Sequence, residues 1–189
     1  MSEIPNFTTK GLDTVAFDRL PNVMKFRESL DNETDRGCAI AAVSYIDHEL
    51  AEAIKARLID SEETLRTVFQ GQGGLSAFSA RIDVGYLLGL YGENGRRELH
   101  SLRKVRNEFA HSPLSLSFKE QSISDRCKAL KYSQHEYKRE PRVHFCSSAT
   151  CILALLYISI SQSKKPNKPL DWIPSESEKA EARAKGAII

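Results

Sequence analysis

Strand signals are scarce in this sequence. Apolar residues recur at three- and four-residue intervals and seldom alternate over a useful length, which argues against a sandwich or barrel. Cysteine is sparse and poorly spaced for a metal: of Cys38, Cys127, Cys146 and Cys151, the closest two are five apart, so no zinc ribbon or finger is written here. No basic stretch followed by an apolar one opens the chain, so no signal peptide is expected. The four thiols are then expected to be reduced and packed as small apolar residues in a cytoplasmic protein. Long apolar runs are missing too. The longest, residues 149–160, has twelve residues, too short to span a bilayer, and is expected to be a core helix. Neither sign of charge is in excess, with 27 Lys and Arg against 25 Asp and Glu and a net charge of +2. A domain built for duplex nucleic acid usually carries a stronger basic excess.

What the chain does have is helical periodicity punctuated by Gly, Pro, Asn and Ser. Its 189 residues, 41% apolar and 28% charged, suit one domain with a real core. The pattern predicts an arm over 1–12, a helical domain over 13–163 and a polar Pro/Lys-rich tail over 164–189 that contains the sole tryptophan, Trp172. A short helix is expected over 13–20, interrupted by Pro21 before a second piece over 22–30. A long helix over about 35–58 would bury Ala39, Ala42, Val43, Ile46, Leu50, Ala53 and Ile54. Another runs from Ser61 (as N-cap) to Phe69, and another over 75–90. Gly85 and Gly89 lie inside that last helix, where a close helix crossing would offset roughly 1 kcal/mol each relative to alanine. Further helices are expected over 96–112, 122–131 and 142–163, with a short one over 176–185 that has little apolar surface to hold it. The fold class is all-α, a single-domain bundle of about five to seven helices.

Several chemical candidates fail on spacing. The glycine loop 71–74 has no preceding strand and no Lys-Ser/Thr, so it reads as a helix connection. His48 is flanked by Asp47 and Glu49, but adjacent helical residues do not converge on one ion. His135 and His144 lack partners at ligand spacing. Ser147 and Ser148 open an apolar helix, with no readable Ser-His-Asp set. Neither a metal nor an organic cofactor is expected.

The segment from Lys104 to Pro113 is different. Arg106, the amide Asn107 and the imidazole of His111 fall within two turns of one helix. Arg presents a planar fork to oxyanions and His changes charge near neutral pH. At 100° per residue, Leu99, Leu102, Val105 and Phe109 share one face. Arg106 falls in that arc, while Arg103, Asn107 and His111 form a polar ledge at its edge. Two readings are open. In one the cluster is structural: Arg106 pairs with a carboxylate such as Asp47 or Asp83, since an unpaired buried charge is costly, and His111 favours the C-terminal dipole. In the other the group works on a phosphate, and Arg96, Arg97, Arg103 and Lys104 form an RNA-facing basic surface.

Residues 106–111 resemble the Arg–(four to six residues)–His motif of the HEPN superfamily of helical domains, including its frequent polar residue after Arg. The longer stretch from Ala41 to about Leu130 resembles the MltR family, named for the mannitol operon repressor, through residues 41–50, 74–82 and 102–118. The HEPN resemblance implies a metal-independent endoribonuclease, such as a toxin or defence effector, that works as a homodimer. His111 would be its general acid–base, Arg106 would stabilise the phosphorane charge, and Asn107 would orient the phosphate or the His. The MltR resemblance implies a cytoplasmic regulator working through protein contacts or RNA. No compact turn before an exposed basic recognition helix is present, so direct operator binding is not expected. Of the two, the regulatory or interaction protein is the favoured expectation and the ribonuclease the alternative.

Overall fold

Residues 14–113, 115–133, 139–169 and 173–185 are described by the computed structural model, and among them eight helices form with no strand. They are α1 (Thr14–Asp31), α2 (Asp35–Lys55), α3 (Glu62–Phe69), α4 (Phe78–Leu87), α5 (Glu93–His111), α6 (Gln121–Lys128), α7 (Pro141–Ser161) and α8 (Glu176–Ala184). The fold is all-α, as the periodicity predicts. The eighth helix, α8, buries no residue and is held by a capping box between Ser175 and Glu178. That local device satisfies orphan donors at a helix start without any core. Trp172 and the arm to residue 13 lie outside the described residues.

Two helices organise the rest. α2 packs against α7, α5, α4 and α1, and α7 packs against α2, α1, α6 and α5. α2 starts where the Thr34 side chain accepts a hydrogen bond from the Gly37 N–H at 3.0 Å. This satisfies one of the free donors of a helix N-terminus. Its predicted stripe, from Ala39 through Ile54, is fully buried. Each of the larger side chains there contributes about 1.5–3 kcal/mol of transfer free energy, and the alanines let neighbouring backbones approach. α7 is apolar around its whole circumference, with fifteen of its 21 residues buried. Such a helix is one surrounded by others. It is longer than the twelve-residue run and is long and apolar enough to cross a membrane, yet three of its buried hydroxyls are hydrogen-bonded, two of them to other parts of the bundle. Ser148 donates to Glu98, Thr150 to the Cys146 carbonyl, and Ser159 to the Leu90 carbonyl.

The structure corrects several boundaries. α1 continues through Pro21. Pro21 is exposed, while Val23, Phe26 and Leu30 anchor the far end of the helix in the core. α4 starts three residues after Leu75. The Leu75 and Ser76 carbonyls accept instead from the Arg81 guanidinium, at 2.6 and 3.0 Å, which holds those residues in a turn. α5 begins at Glu93, three residues before the expected start at 96, so Asn94 and Gly95 belong to its first turn.

The two glycines expected to lie at a helix crossing divide. A Cβ on Gly85 would lie 2.5 Å from the Tyr91 hydroxyl and 3.1 Å from Leu50 of α2, so close packing explains it. Tyr91 is fixed there because its hydroxyl donates to the Ile82 carbonyl at 2.8 Å. Gly89 has open space around it but φ of +69°, so it terminates α4 by its left-handed conformation. Gly85→Ala should therefore cost about 1–3 kcal/mol through overpacking. Gly89→Ala should cost about 1–2 kcal/mol through backbone strain. Urea unfolding of the two variants, followed by repacking of Gly85→Ala with Tyr91→Phe, separates the causes: only the Gly85 loss should shrink.

Candidate functional site

The polar segment occupies the last two turns of α5. Leu99, Leu102, Val105 and Phe109 are at most 1% exposed, so the predicted face meets the core. That fixes the azimuth of everything else on the helix. Arg106 leans inward and is half-buried. Its Nη1 donates to the Asn107 side-chain oxygen at 3.1 Å, and its Nε is buried without a hydrogen-bond partner among the described residues. Arg103, one turn earlier, likewise carries a buried Nε without a partner. His111 is the final residue of α5 and is exposed.

Arg106 does not meet the carboxylates expected for it. Asp47 accepts a two-point bond from Arg81, Nε to Oδ1 at 2.8 Å and Nη2 to Oδ2 at 2.7 Å. Asp83 accepts from Arg96 Nε at 2.8 Å and lies 3.2 Å from His100 Nε2. The Arg96 hydrogen bond, and after it His100, holds the Asp83 carboxyl below the usual range. The reason is position: both aspartates sit where the arginines of α4 and the first turn of α5 reach them before residue 106 can. Among the described residues no carboxylate pairs with Arg106.

The proposed basic surface is also divided. Arg96 is engaged with Asp83 and, at 3.7 Å, with Glu93; Arg97 pairs with Glu93 at 2.8 Å. Arg103 is half-buried, and Lys104 alone of the four is exposed without an acidic partner among the described residues. Arg106 and His111 are five residues apart, so at roughly 100° per residue their side chains diverge by about 140° around α5. Two cavities, of about 300 and 580 Å³, lie beside Cys146 and at the glycine loop after α3, and neither is lined by Arg106 or His111.

Three residues that sequence reasoning missed frame this end of α5. Arg36, in the first turn of α2, donates to the carbonyls of Ala110 and Ser112 at 3.1 and 3.3 Å. It caps the helix end that carries His111, supplying the cation that a C-terminus favours. Glu108 accepts from Arg126 and Ser122 and ties α5 to α6. Asp35 accepts from Arg142 at 2.8 Å and from the Phe118 N–H at 3.0 Å, joining α2, α7 and the segment after α5. Arg36 had no signal in the sequence, since its partner carbonyls lie more than seventy positions away. Removing it by Arg36→Ala should cost about 0.5–1 kcal/mol. Hydrogen exchange should speed up selectively over residues 108–112; uniform exchange rates in that variant would reject the cap.

A fourth missed residue is Glu98. It is 4% exposed, accepts from the backbone N–H groups of Lys131 and Tyr132 at 3.0 and 2.9 Å, and accepts from Ser148 Oγ at 2.6 Å. Its signal was available. Glu98 lies four residues before Leu102 and seven before Val105, within the buried arc.

No family model matches the sequence, and no curated protein matches it. Among solved structures, a chain of the X-ray structure of the MtlR–HPr complex from Escherichia coli matches with a TM-score of 0.59 and 19% sequence identity, covering 71% of this chain and 98% of that one. The bundle described above thus has the fold of that MtlR structure.

Proposed function

We propose that this protein is an MltR-like regulatory protein that works by binding another protein, with the Arg106–Asn107–His111 segment serving packing and surface presentation rather than cleavage. The observation that carries the reading is the divergence of Arg106 and His111. One is turned into the bundle onto Asn107 and the other is exposed at the helix end, and neither lines the two cavities described above. The fold supports it as well, since the similar structure is of MtlR in complex with HPr. By that likeness the partner is HPr or a small protein of the same kind, engaged by the helical domain over 13–163 in the cytoplasm. The test is calorimetric titration of the full chain with Escherichia coli HPr. Saturable one-to-one heat supports the reading, and its absence removes that HPr as a partner.

One observation favours the metal-independent ribonuclease as a second reading. Arg106 has no carboxylate, and its Nε lacks a partner among the described residues, leaving a partly desolvated cation available to a phosphate. In that reading a homodimer brings His111 of one copy to Arg106 of the other. Incubating total RNA and transfer RNA with the protein in EDTA decides it. Cleavage lost in both Arg106→Ala and His111→Ala establishes the enzyme; RNA left intact by the folded wild type rejects it for those substrates.

A further inference from the structure

Four thiols are buried in this bundle, and two of them are not arranged as mere packing. Cys38, in the first turn of α2, and Cys146, in the second turn of α7, place their sulfurs 3.5 Å apart although 108 positions separate them in sequence. Closing to the roughly 2.05 Å of a disulfide requires the sulfurs to approach by about 1.5 Å. The second observation is an approach from solvent. A cavity of about 300 Å³ beside the N-terminus of α7 is lined by Cys146 together with Arg27, Arg142, Asp31 and Asp35. Cys38 does not line it. Cys146 is 1% exposed and Cys38 wholly buried, so Cys146 is the member of the pair on the cavity side.

We infer that Cys38 and Cys146 form an oxidisable dithiol site for a small hydroperoxide, with Cys146 the attacking sulfur and Cys38 the resolving one. In the first step the Cys146 thiolate attacks one oxygen of the peroxide. The O–O bond breaks, the leaving hydroxide takes up a proton to become water (an alcohol for an alkyl hydroperoxide), and Cys146 becomes a sulfenic acid. In the second step the Cys38 sulfur attacks the Cys146 sulfur, giving up its proton. The S–O bond breaks and the hydroxyl leaves as a second water. Two thiols lose two electrons and the peroxide gains them. The polarity of the pair fits this order. Donation from the Cys38 thiol, aided by the Arg27 and Arg142 charges, pulls the Cys146 thiol below its usual range, and the same bond pushes Cys38 up. Thiolate character and access decide which sulfur is attacked by oxidant. Neither Cys127 nor Cys151 has both features: burial pushes their thiols up, to about 12 and about 11.

The test uses the reduced full-length chain and hydrogen peroxide. After treatment, free thiols are alkylated and the chain is digested and mapped by mass spectrometry. The expected result is the loss of two of four alkylatable thiols, a linked Cys38–Cys146 peptide reversed by dithiothreitol, and a higher Tm for the oxidised chain. In Cys38→Ser, a dimedone adduct should accumulate on Cys146; in Cys146→Ser, Cys38 should stay unmodified. Four alkylatable thiols after peroxide, a link through Cys127, or links only between chains would each overturn the site. Because the wild-type peptide map needs no variant, the inference stands or falls even where a substitution impairs folding.

Discussion

Glu98→Ala is expected to destabilise the protein by about 3–5 kcal/mol, a large part of the roughly 5–15 kcal/mol that holds a domain together. Three donors converge on this carboxylate: two consecutive backbone N–H groups just after α6, and the Ser148 hydroxyl inside α7. Each buried donor left without a partner costs about 1–3 kcal/mol. The low end applies to Lys131, whose residue is exposed, and a higher value to Ser148, which is wholly buried. Glu98→Gln keeps one acceptor oxygen and turns its amide N–H₂ toward a donor, so about 1–2 kcal/mol should be lost. Urea unfolding with an unchanged slope is the measurement. A loss below about 1 kcal/mol for the alanine variant would show that water replaces the carboxylate, and that α5, α6 and α7 are joined by apolar contact alone.

Phe118→Ala should cost a comparable amount, about 3–5 kcal/mol. Phe118 is 2% exposed and sits between Phe109 of α5 and Phe145 of α7, with ring centroids 4.9 and 5.2 Å away in tilted geometry. Such aromatic contacts add about 0.5–1.5 kcal/mol beyond area burial. Its N–H also donates to Asp35, so loosening the ring should release the Asp35–Arg142 junction. Phe118→Leu preserves most of the volume and should lose less than about 2 kcal/mol. If both variants lose the same small amount by thermal unfolding, the segment after α5 is a cover and not part of the core.

The faces of the helices were legible in the sequence, but their partners were not. The α2 stripe and the α5 face emerge intact from a 3.6-residue period, because burial of a helix side depends on spacing that the chain carries locally. Asp47 meeting Arg81 and Arg142 meeting Asp35 depend on how helices 34 and 107 positions apart are brought together. Local spacing carries no such information. Glu98 is the instructive case: its azimuth places it among Leu102 and Val105, but the donors that hold it come from α7 and the segment after α6, which local spacing does not reveal. Pro21 failed for the opposite reason, since a strong local breaker was overridden by a solvent-facing position. The Arg106 segment was found by its residue types, while its lack of a carboxylate needed the fold.

The burial of α7 on all sides has a consequence for the chain during its synthesis. α7 is the seventh helix to emerge from the ribosome, yet it covers the faces of α1 and α2. At roughly 5–20 residues per second, the apolar stripe of α2 stays uncovered for on the order of ten seconds before its principal neighbour is translated. A nascent chain stalled before residue 141 should therefore be a strong client for holding chaperones, and one released after residue 161 a weak one.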